Sequence, residues 1–136
     1  KTKEVMQVAI IEFSLTGSKD SLFYEVAKSL VDSFSTDYPA MTKTQLRRFY
    51  QELISIRTLL DQSDSPKDEY INQYPFIRMM VAKVSYAKGR KKAGDSFHSF
   101  IQKGIQQITK DNIDTLFTFC DLFEAIIAFG SDKLRN

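Results

Sequence analysis

The chain is poor in the side chains that carry most enzyme chemistry. Its 136 residues include one cysteine, one histidine and no tryptophan. The lone thiol, Cys120, has no partner for an intrachain disulfide, which favours a reducing, cytoplasmic location. Together with the lone imidazole, His98, it is too little to build a zinc site rich in His and Cys within one chain. The composition therefore predicts no metal centre of this kind.

Long apolar runs, glycine-rich loops and calcium-binding patterns are also absent. The longest uninterrupted apolar run covers residues 125–129, whereas a membrane-spanning helix needs about 20 residues. The five glycines form no phosphate-binding loop. The acids of residues 61–69 lack the glycine and the alternating spacing of a calcium loop. We therefore expect no membrane partner and no cofactor.

One catalytic alternative is a metal-free ribonuclease of the helical HEPN type, in which a His follows shortly after an Arg. Here seven residues separate Arg90 from His98, and an expected helix break at Gly94-Asp95 lies between them. That spacing does not fit, so His98 is interpreted as a polar residue on the exposed side of its helix. Three acids of the last helix are likewise interpreted as its solvent-facing flank: Asp114, Asp121 and Glu124. The sequence therefore predicts a protein that is not an enzyme.

Helical periodicity dominates what is present. With 43% hydrophobic residues and eleven phenylalanines, the chain has the composition of a folded globular protein, and its length suits one domain. Apolar residues recur at three- and four-residue spacing. We therefore expect an all-α, single-domain bundle of five to six helices spanning residues 1–136. A short helix over residues 5–13, ended by Gly17, comes first, and later helices begin near Ser18, Thr42, Pro75, Asp95 and Asp111.

The fourth expected helix follows the clearest polar segment of the chain, residues 61–67. Pro75 suits its first turn, where a missing N–H costs little. Ala93-Gly94 should stop it after about Lys92. Its inward side chains are expected to be Phe76, Ile77, Met80, Val81, Val84 and Ala87.

The last expected helix, residues 112–129, is apolar around most of its circumference. Two apolar rows run along it, with Ile113, Leu116, Phe117, Cys120, Phe123 and Ile127 in one and Phe119, Leu122, Ile126 and Phe129 in the other. Such a helix is either central in its bundle or in contact with a second chain. The sequence leaves both alternatives open.

Positive charge is concentrated in about a third of the chain. Residues 43–92 hold eleven of the nineteen basic residues and five acids, a local charge of +6 in a chain whose net charge is +2. The flanking stretches, 1–42 and 93–136, each sum to −2. Such a patch suits a polyanion held by phosphate contacts. The alternative is a solvated helix end, where basic residues complement the helix dipole.

Helical geometry groups these cations into faces. A step of about 100° per residue puts four residues of the third helix within a sector of about 80°: Lys43, Arg47, Tyr50 and Arg57. On the next helix Lys83 and Arg90 share one face, and Tyr86 lies nearby. Guanidinium groups grip phosphates, and aromatic rings stack on bases. This mixture favours a nucleic acid as the polyanion.

Three motifs follow one another along the chain. Residues 42–56 have the helix start T-x-x-Q-[IL]-R-x-[FY], residues 76–92 the ending K-x-x-Y-x-x-G-R, and residues 116–129 the run F-E-A-[IV]-[IV]-A. The residues that form these motifs are Thr42, Gln45, Leu46, Arg47, Phe49, Lys83, Tyr86, Gly89, Arg90, Phe123, Glu124, Ala125, Ile126, Ile127 and Ala128. In this order they resemble the small subunit of type III-A CRISPR–Cas interference complexes, the Csm-type small subunit family. Residues 42–129 thus form a family-like core, and the role of residues 1–41 stays open.

The resemblance implies a small all-helical subunit without catalysis of its own. Copies of such a subunit are stacked along a filament of CRISPR RNA and its backbone subunits. They contact target RNA or the guide–target duplex through the sugar–phosphate backbone. The implied partners are CRISPR RNA, target RNA, the other subunits of the complex and further copies of the chain. A subunit that accepts any guide-defined target reads phosphates and leaves sequence to base pairing.

The candidate RNA-binding residues have two sources. Motif position carries over Arg47 and Arg90. Charge and helical placement alone add Lys43, Arg48, Arg57, Lys83, Lys88, Lys91 and Lys92. The competing hypothesis is a helical protein–protein interaction module that forms a homodimer, in which the basic residues only solubilise the chain. A DNA-binding helix-turn-helix regulator is disfavoured, because no short recognition helix follows a tight glycine turn.

Overall fold

The computed structural model describes residues 11–136. Within this range the protein is all-α, as predicted, with five helices and no strand. Helix α1 covers residues 19–36 and joins an α-helical turn, Lys19–Ser21, a π-helical turn, Leu22–Val26, and an α-helix, Ala27–Thr36. The others are α2 (Lys43–Gln62), α3 (Pro66–Gly89), α4 (Asp95–Gln107) and α5 (Ile113–Gly130). None of these helices has the length and apolar character needed to cross a membrane.

Helix α5 lies at the centre of the bundle, where it packs against α1 and α2. Its buried apolar side chains are Leu116, Phe119, Cys120, Leu122, Phe123 and Ile126. Other members of its two apolar rows, such as Phe117 and Phe129, are partly buried against the same core. A central position in the bundle, the first of the two alternatives, therefore accounts for its apolar circumference.

A cluster of phenylalanine rings joins α4 to α5 at the centre of the core. The ring centroid of Phe100 lies 5.2 Å from that of Phe119 and 5.6 Å from that of Phe123. Tilted and edge-on pairs of this kind match the quadrupoles of the rings. Gly104 makes room for this packing, because a Cβ atom there would lie 2.7 Å from Cζ of Phe119.

The starts of α2 and α5 follow the predicted capping chemistry, with one shift of position. Thr42 caps α2 as predicted, since its Oγ1 accepts a hydrogen bond from the N–H of Gln45 at 3.2 Å. The cap of α5 is Asn112, and the predicted Asp111 is wrong by one residue. The Asn112 side chain accepts from the N–H of Asp114 at 3.1 Å, from the extended backbone that a capping residue needs.

The start of α4 is capped from a distant part of the chain. Asp95, the predicted cap, is the first helical residue, and its carboxylate instead pairs with Lys88. The cap is supplied by Asp37, which follows α1 and accepts from the N–H of Ser96 at 2.6 Å. Gly94 permits this approach, because a Cβ atom there would lie 2.6 Å from Cγ of Asp37.

Helix α3 begins much earlier than predicted. Pro66 occupies its first turn, and the predicted polar loop is reduced to residues 63–65. Pro75 therefore lies inside the helix, on its exposed side, where a proline costs a backbone hydrogen bond. Contacts to the α4–α5 loop hold this part of the helix, since Tyr70 and Tyr74 donate to the carbonyl groups of Thr109 and Ile108.

The inward face of α3 is narrower than predicted. Ile77, Met80, Val84 and Ala87 are buried and Val81 is partly buried. Phe76 was expected to point inward, but 56% of its surface is exposed. A step of about 100° from Ile77 turns Phe76 away from the core and onto the flank of the helix.

Helix α3 also ends earlier than predicted, at Gly89 instead of Lys92. Lys91 adopts the left-handed conformation, with φ of 61°. The N–H of Lys91 bonds to the carbonyl of Lys88 at 3.0 Å, and the N–H of Lys92 bonds to that of Ala87 at 2.8 Å. This pair of bonds is a Schellman motif, with a lysine where glycine is usual.

The expected helix over residues 5–13 lies mostly outside the described residues, and residues 11–14 are not helical. Gln107 of α4 holds this segment: its side-chain N–H donates to the Phe13 carbonyl at 2.9 Å, and its Oε1 accepts from the N–H of Leu15 at 2.7 Å. Gly17 closes a turn onto Ser14 but lacks the predicted left-handed backbone.

Candidate nucleic-acid interface

A groove of about 610 Å³ runs between α2 and α3. The two helices are antiparallel neighbours, since only residues 63–65 connect them. The polar lining consists of the cations Arg48, Lys83, Arg90 and Lys92, the carboxylate Glu52 and the amide Gln45. The other lining residues are Phe49, Met79, Ala82, Tyr86 and Ala87. With four cations against one carboxylate, the groove is electropositive.

Helical spacing explains why these residues meet. Arg48 and Glu52 are four residues apart on α2, and Lys83, Tyr86 and Arg90 recur at three- and four-residue spacing on α3. Lys83 Nζ lies 2.7 Å from Glu52 Oε1 and joins the two walls. Both side chains are more than a third exposed, so the pair adds little to stability. Its main effect is to neutralise one cation of the groove.

Arg90 and Tyr86 form a second ordered pair in the groove. The guanidinium Nη1 of Arg90 donates to the hydroxyl oxygen of Tyr86 at 3.0 Å. The guanidinium carbon is 5.7 Å from the ring centroid, near the outer limit of a cation–π contact. The ring itself is 66% exposed. A cation and an open aromatic face therefore stand side by side.

The cations differ in whether a carboxylate already holds them. Lys83 pairs with Glu52, and Lys88, at the C-terminal end of α3, pairs with Asp95 at 2.6 Å. The ion pairs found within residues 11–136 do not include Arg48, Arg90 or Lys92. These three groove residues are therefore the ones best able to take an external anion. Lys91, at the left-handed turn, is exposed but does not line the groove.

Three residues of the predicted α2 sector, Lys43, Tyr50 and Arg57, face α5 instead of the groove. Lys43 Nζ donates to the Ser131 carbonyl at 2.9 Å. The ring of Tyr50 packs 5.5 Å from that of Phe123. These contacts give the sector a structural use that periodicity does not reveal.

Arg57 is the most firmly held member of that sector. Its Nη1 lies 2.9 Å from Oδ1 of Asp121, and its guanidinium carbon is 4.8 Å from the ring centroid of Phe117. Asp121, interpreted from the sequence as part of a solvent-facing flank, is thus a partner of α2. An RNA phosphate at Arg57 has to compete with this carboxylate.

Arg47 is exposed but does not line the groove, whereas Arg48 does. Consecutive residues are about 100° apart around a helix, so the two arginines leave α2 in different directions. The structure therefore brings together Arg48 and Arg90, and it does not bring Arg47 to the same groove. Gln45, Glu52, Met79 and Ala82 were not among the predicted site residues. Their spacing from Arg48 and Tyr86 on the same faces is the signal that indicates them.

His98 and Cys120 are in structural surroundings. His98 is half-buried, with Nε2 2.8 Å from Oγ of Ser85, and burial lowers the pKa of its imidazole, with Lys88 adding to the effect. This differs from the expected exposed position. Burial raises the pKa of the Cys120 thiol to about 12. Among residues 11–136, no three His, Cys, Asp or Glu side chains are grouped to hold a metal ion.

Comparison with protein families gives a match for most of the chain. A family model described as Csm2 Type III-A matches residues 18–132. The match includes all five helices, and therefore extends beyond the resemblance over residues 42–129 to α1. No curated protein and no solved structure matches the chain.

Proposed function

The chain belongs to the Csm2 family of small subunits of type III-A CRISPR complexes, and from that premise we propose that it is a non-catalytic RNA-binding and scaffolding subunit. It contacts the sugar–phosphate backbone of target RNA, or of the guide–target duplex, without sequence specificity. The RNA follows the groove between α2 and α3. Its place of action is the cytoplasm, where the guide and its RNA target meet.

The observation that carries this proposal is the electropositive groove. Arg48, Arg90 and Lys92 line it without a carboxylate partner among the described residues, and Lys83 adds a partly neutralised charge. Lysine and arginine contacts to phosphate supply affinity and register but no sequence information. In an RNA-guided complex the base pairs supply the sequence. A groove of cations is thus suited to any target that the guide selects.

No catalytic step is assigned to the chain. The two side chains with most potential as a nucleophile or a general base are not arranged as in a catalytic site. Burial raises the pKa of the Cys120 thiol to about 12. His98 Nε2 lies 2.8 Å from Oγ of Ser85, but no carboxylate among the described residues is hydrogen-bonded to the imidazole to orient it as a base. These placements support a binding role.

The test is fluorescence anisotropy of the full chain with labelled single-stranded RNA over a range of salt concentrations. If the three unpaired cations, Arg48, Arg90 and Lys92, contact three phosphates, log K falls against log[salt] with a slope near −2. The double variant Arg48→Glu with Arg90→Glu should weaken binding roughly tenfold or more, alike for all sequences. It should also reduce the slope by about 1.4.

A matched control is the double variant Lys19→Glu with Lys67→Glu. Lys19 is exposed in the first turn of α1 and Lys67 in the first turn of α3, neither lines the groove, and an acid is well tolerated in a first turn. The change in net charge is the same. Equal loss of affinity in the two double variants contradicts the proposal, since it shows that only overall charge matters.

Self-association is part of the proposal, and a homodimeric interaction module is the second candidate function. Burial of α5 within its own bundle removes the observation that first favoured a dimer. The remaining support is a set of exposed apolar side chains, of which Leu59, Ile71 and Phe76 are 47%, 50% and 56% exposed. We propose that another copy of the chain covers them, as in a stacked arrangement. Light scattering separates the candidates: a tight dimer that does not bind RNA supports the second one.

A further inference from the structure

We propose that Tyr86 is a stacking site for one unpaired RNA base, so that the groove binds single-stranded RNA in preference to a continuous duplex. The inference rests on the proposed RNA-binding function and makes its substrate more specific. Phosphate contacts alone do not distinguish an unpaired strand from a paired one. An aromatic ring that stacks on a base distinguishes the two, because a paired base is already stacked between its neighbours in the duplex.

The exposure of Tyr86 is the first observation. A large aromatic side chain that is 66% exposed in the regular part of α3 contributes little to the core. Within residues 11–136 its ring is in none of the aromatic pairs of the protein. The fold therefore gives no packing reason for an aromatic residue at this position.

The surroundings of the ring are the second observation. Ala82 lies one helical turn before Tyr86 and also lines the groove. Side chains on a helix lean toward its N-terminal end, so Tyr86 leans toward Ala82, whose single methyl group leaves space beside the ring. Met79, 47% exposed, continues the apolar surface of the groove. The groove thus has an apolar floor at the place where a base would lie.

The third observation is the fixed position of Arg90. Its Nη1 donates to the Tyr86 hydroxyl at 3.0 Å, so the guanidinium meets the ring at its hydroxyl end and not over its centre. The other donors of the guanidinium stay available to a phosphate. Base and phosphate of one nucleotide thus have adjacent sites on α3, and Arg48 on the opposite wall is placed for a neighbouring phosphate.

The experiment compares Tyr86→Leu and Tyr86→Phe with the unaltered full chain. Leucine keeps an apolar side chain of good helix propensity but has no ring, and phenylalanine keeps the ring without its hydroxyl. The probes are labelled oligoadenosine, labelled oligouridine and a fully paired RNA duplex of equal length. For single strands, stacking on one aromatic ring contributes roughly a 5- to 100-fold factor in affinity.

We expect Tyr86→Leu to weaken binding of single strands about tenfold and to leave the salt slope and the affinity for duplex unchanged. Tyr86→Phe keeps the ring and should lose much less affinity than Tyr86→Leu, only what the missing hydroxyl contact with Arg90 contributes. In Tyr86→Leu, oligoadenosine, with the larger base, should lose more affinity than oligouridine. A strand containing 2-aminopurine adds a direct readout, since its fluorescence is quenched on stacking. That quenching should disappear in Tyr86→Leu.

Tyr24→Leu is the matched control. Tyr24 is also exposed, at 52%, and also has a cation four residues later, Lys28, at 5.3 Å from its ring centroid, but it lies on α1, outside the groove. If Tyr86→Leu binds single strands as the unaltered chain does while Arg48→Glu with Arg90→Glu fails to bind, the stacking site is wrong and the proposed function stands. If neither variant changes affinity, both are wrong.

Discussion

Glu52 of α2 and Lys83 of α3 meet across the groove, with 2.7 Å between Oε1 and Nζ. Among residues 11–136, Glu52 is the only acid that lines this groove. It therefore reduces the positive potential that an RNA strand meets and occupies one of the four cations. The pair is a restraint on affinity built into the proposed binding surface.

Glu52→Gln is accordingly expected to strengthen RNA binding. One repulsive charge near a phosphate is worth about 1 kcal/mol at this degree of exposure, so affinity should rise about fivefold at low salt. The salt slope should become steeper, because Lys83 is released to contact a phosphate. Glu25→Gln makes the same change of charge on the exposed side of α1 and should have a much smaller effect. Anisotropy measures both, and an unchanged or lower affinity in Glu52→Gln contradicts the placement of RNA in the groove.

Arg57→Gln is expected to affect stability and not RNA binding. The variant removes the ion pair with Asp121 and the contact with Phe117. Because the pair is partly exposed, the loss should be about 1 kcal/mol in the free energy of unfolding by urea. RNA affinity should stay within about twofold of the unaltered chain, whereas Arg48→Gln should weaken it more. Equal losses of affinity in the two variants would return Arg57 to the binding surface.

Lys91→Gly should stabilise the protein. Lys91 has φ of 61° in the Schellman motif that ends α3, and this conformation costs a residue with a Cβ atom about 1–2 kcal/mol. Part of that gain is offset by the greater freedom of glycine in the unfolded chain, which leaves about 0.5–1 kcal/mol. Lys92→Gly, next to it but outside the left-handed position, is the control and should show no gain. Urea unfolding of the three proteins decides the matter.

Asp37→Asn tests the cap of α4 through its pH dependence. Burial raises the pKa of Asp37 above its ordinary value of 3.8, although hydrogen bonds from Ser96 oppose the rise. An acid whose pKa is higher in the folded state favours folding most at low pH, and this contribution is lost as the pH rises through the raised pKa. The free energy of unfolding of the unaltered chain, minus that of Asp37→Asn, should therefore be larger near pH 4 than near pH 7. A difference that grows with pH would mean that the carboxylate is stabilised when ionised.

The sequence predicts a helix well where a long row of apolar residues at helical spacing begins and ends with clear capping residues. Thr42, with the apolar positions that follow it, fixes the start and the buried face of α2. The sequence predicts the start of α3 poorly, because Pro66 and Pro75 both suit a first helical turn. The choice between them depends on hydrogen bonds from Tyr70 and Tyr74 to a loop more than thirty residues away. The cap of α4 by Asp37, 59 residues from Ser96, has no local signal at all.

The candidate site shows a similar limit. Sequence periodicity indicates the charged flanks of α2 but not which flank meets α3 and which meets α5. Packing turns the flank with Arg57 toward Asp121 and the flank with Arg48 toward Arg90. Arg47 and Arg48 are adjacent in the sequence and both exposed, and only the tertiary structure shows that Arg48 lines the groove and Arg47 does not.

The path of RNA through the α2–α3 groove is tested most directly by site-specific photo-crosslinking. A photoreactive amino acid replaces Met79 in the groove, or Glu25 on α1 as the control, and each variant is assembled into the type III-A complex with labelled target RNA. We predict that irradiation links RNA to the chain from position 79 and not from position 25. A crosslink from position 25 with none from position 79 would contradict the proposed path.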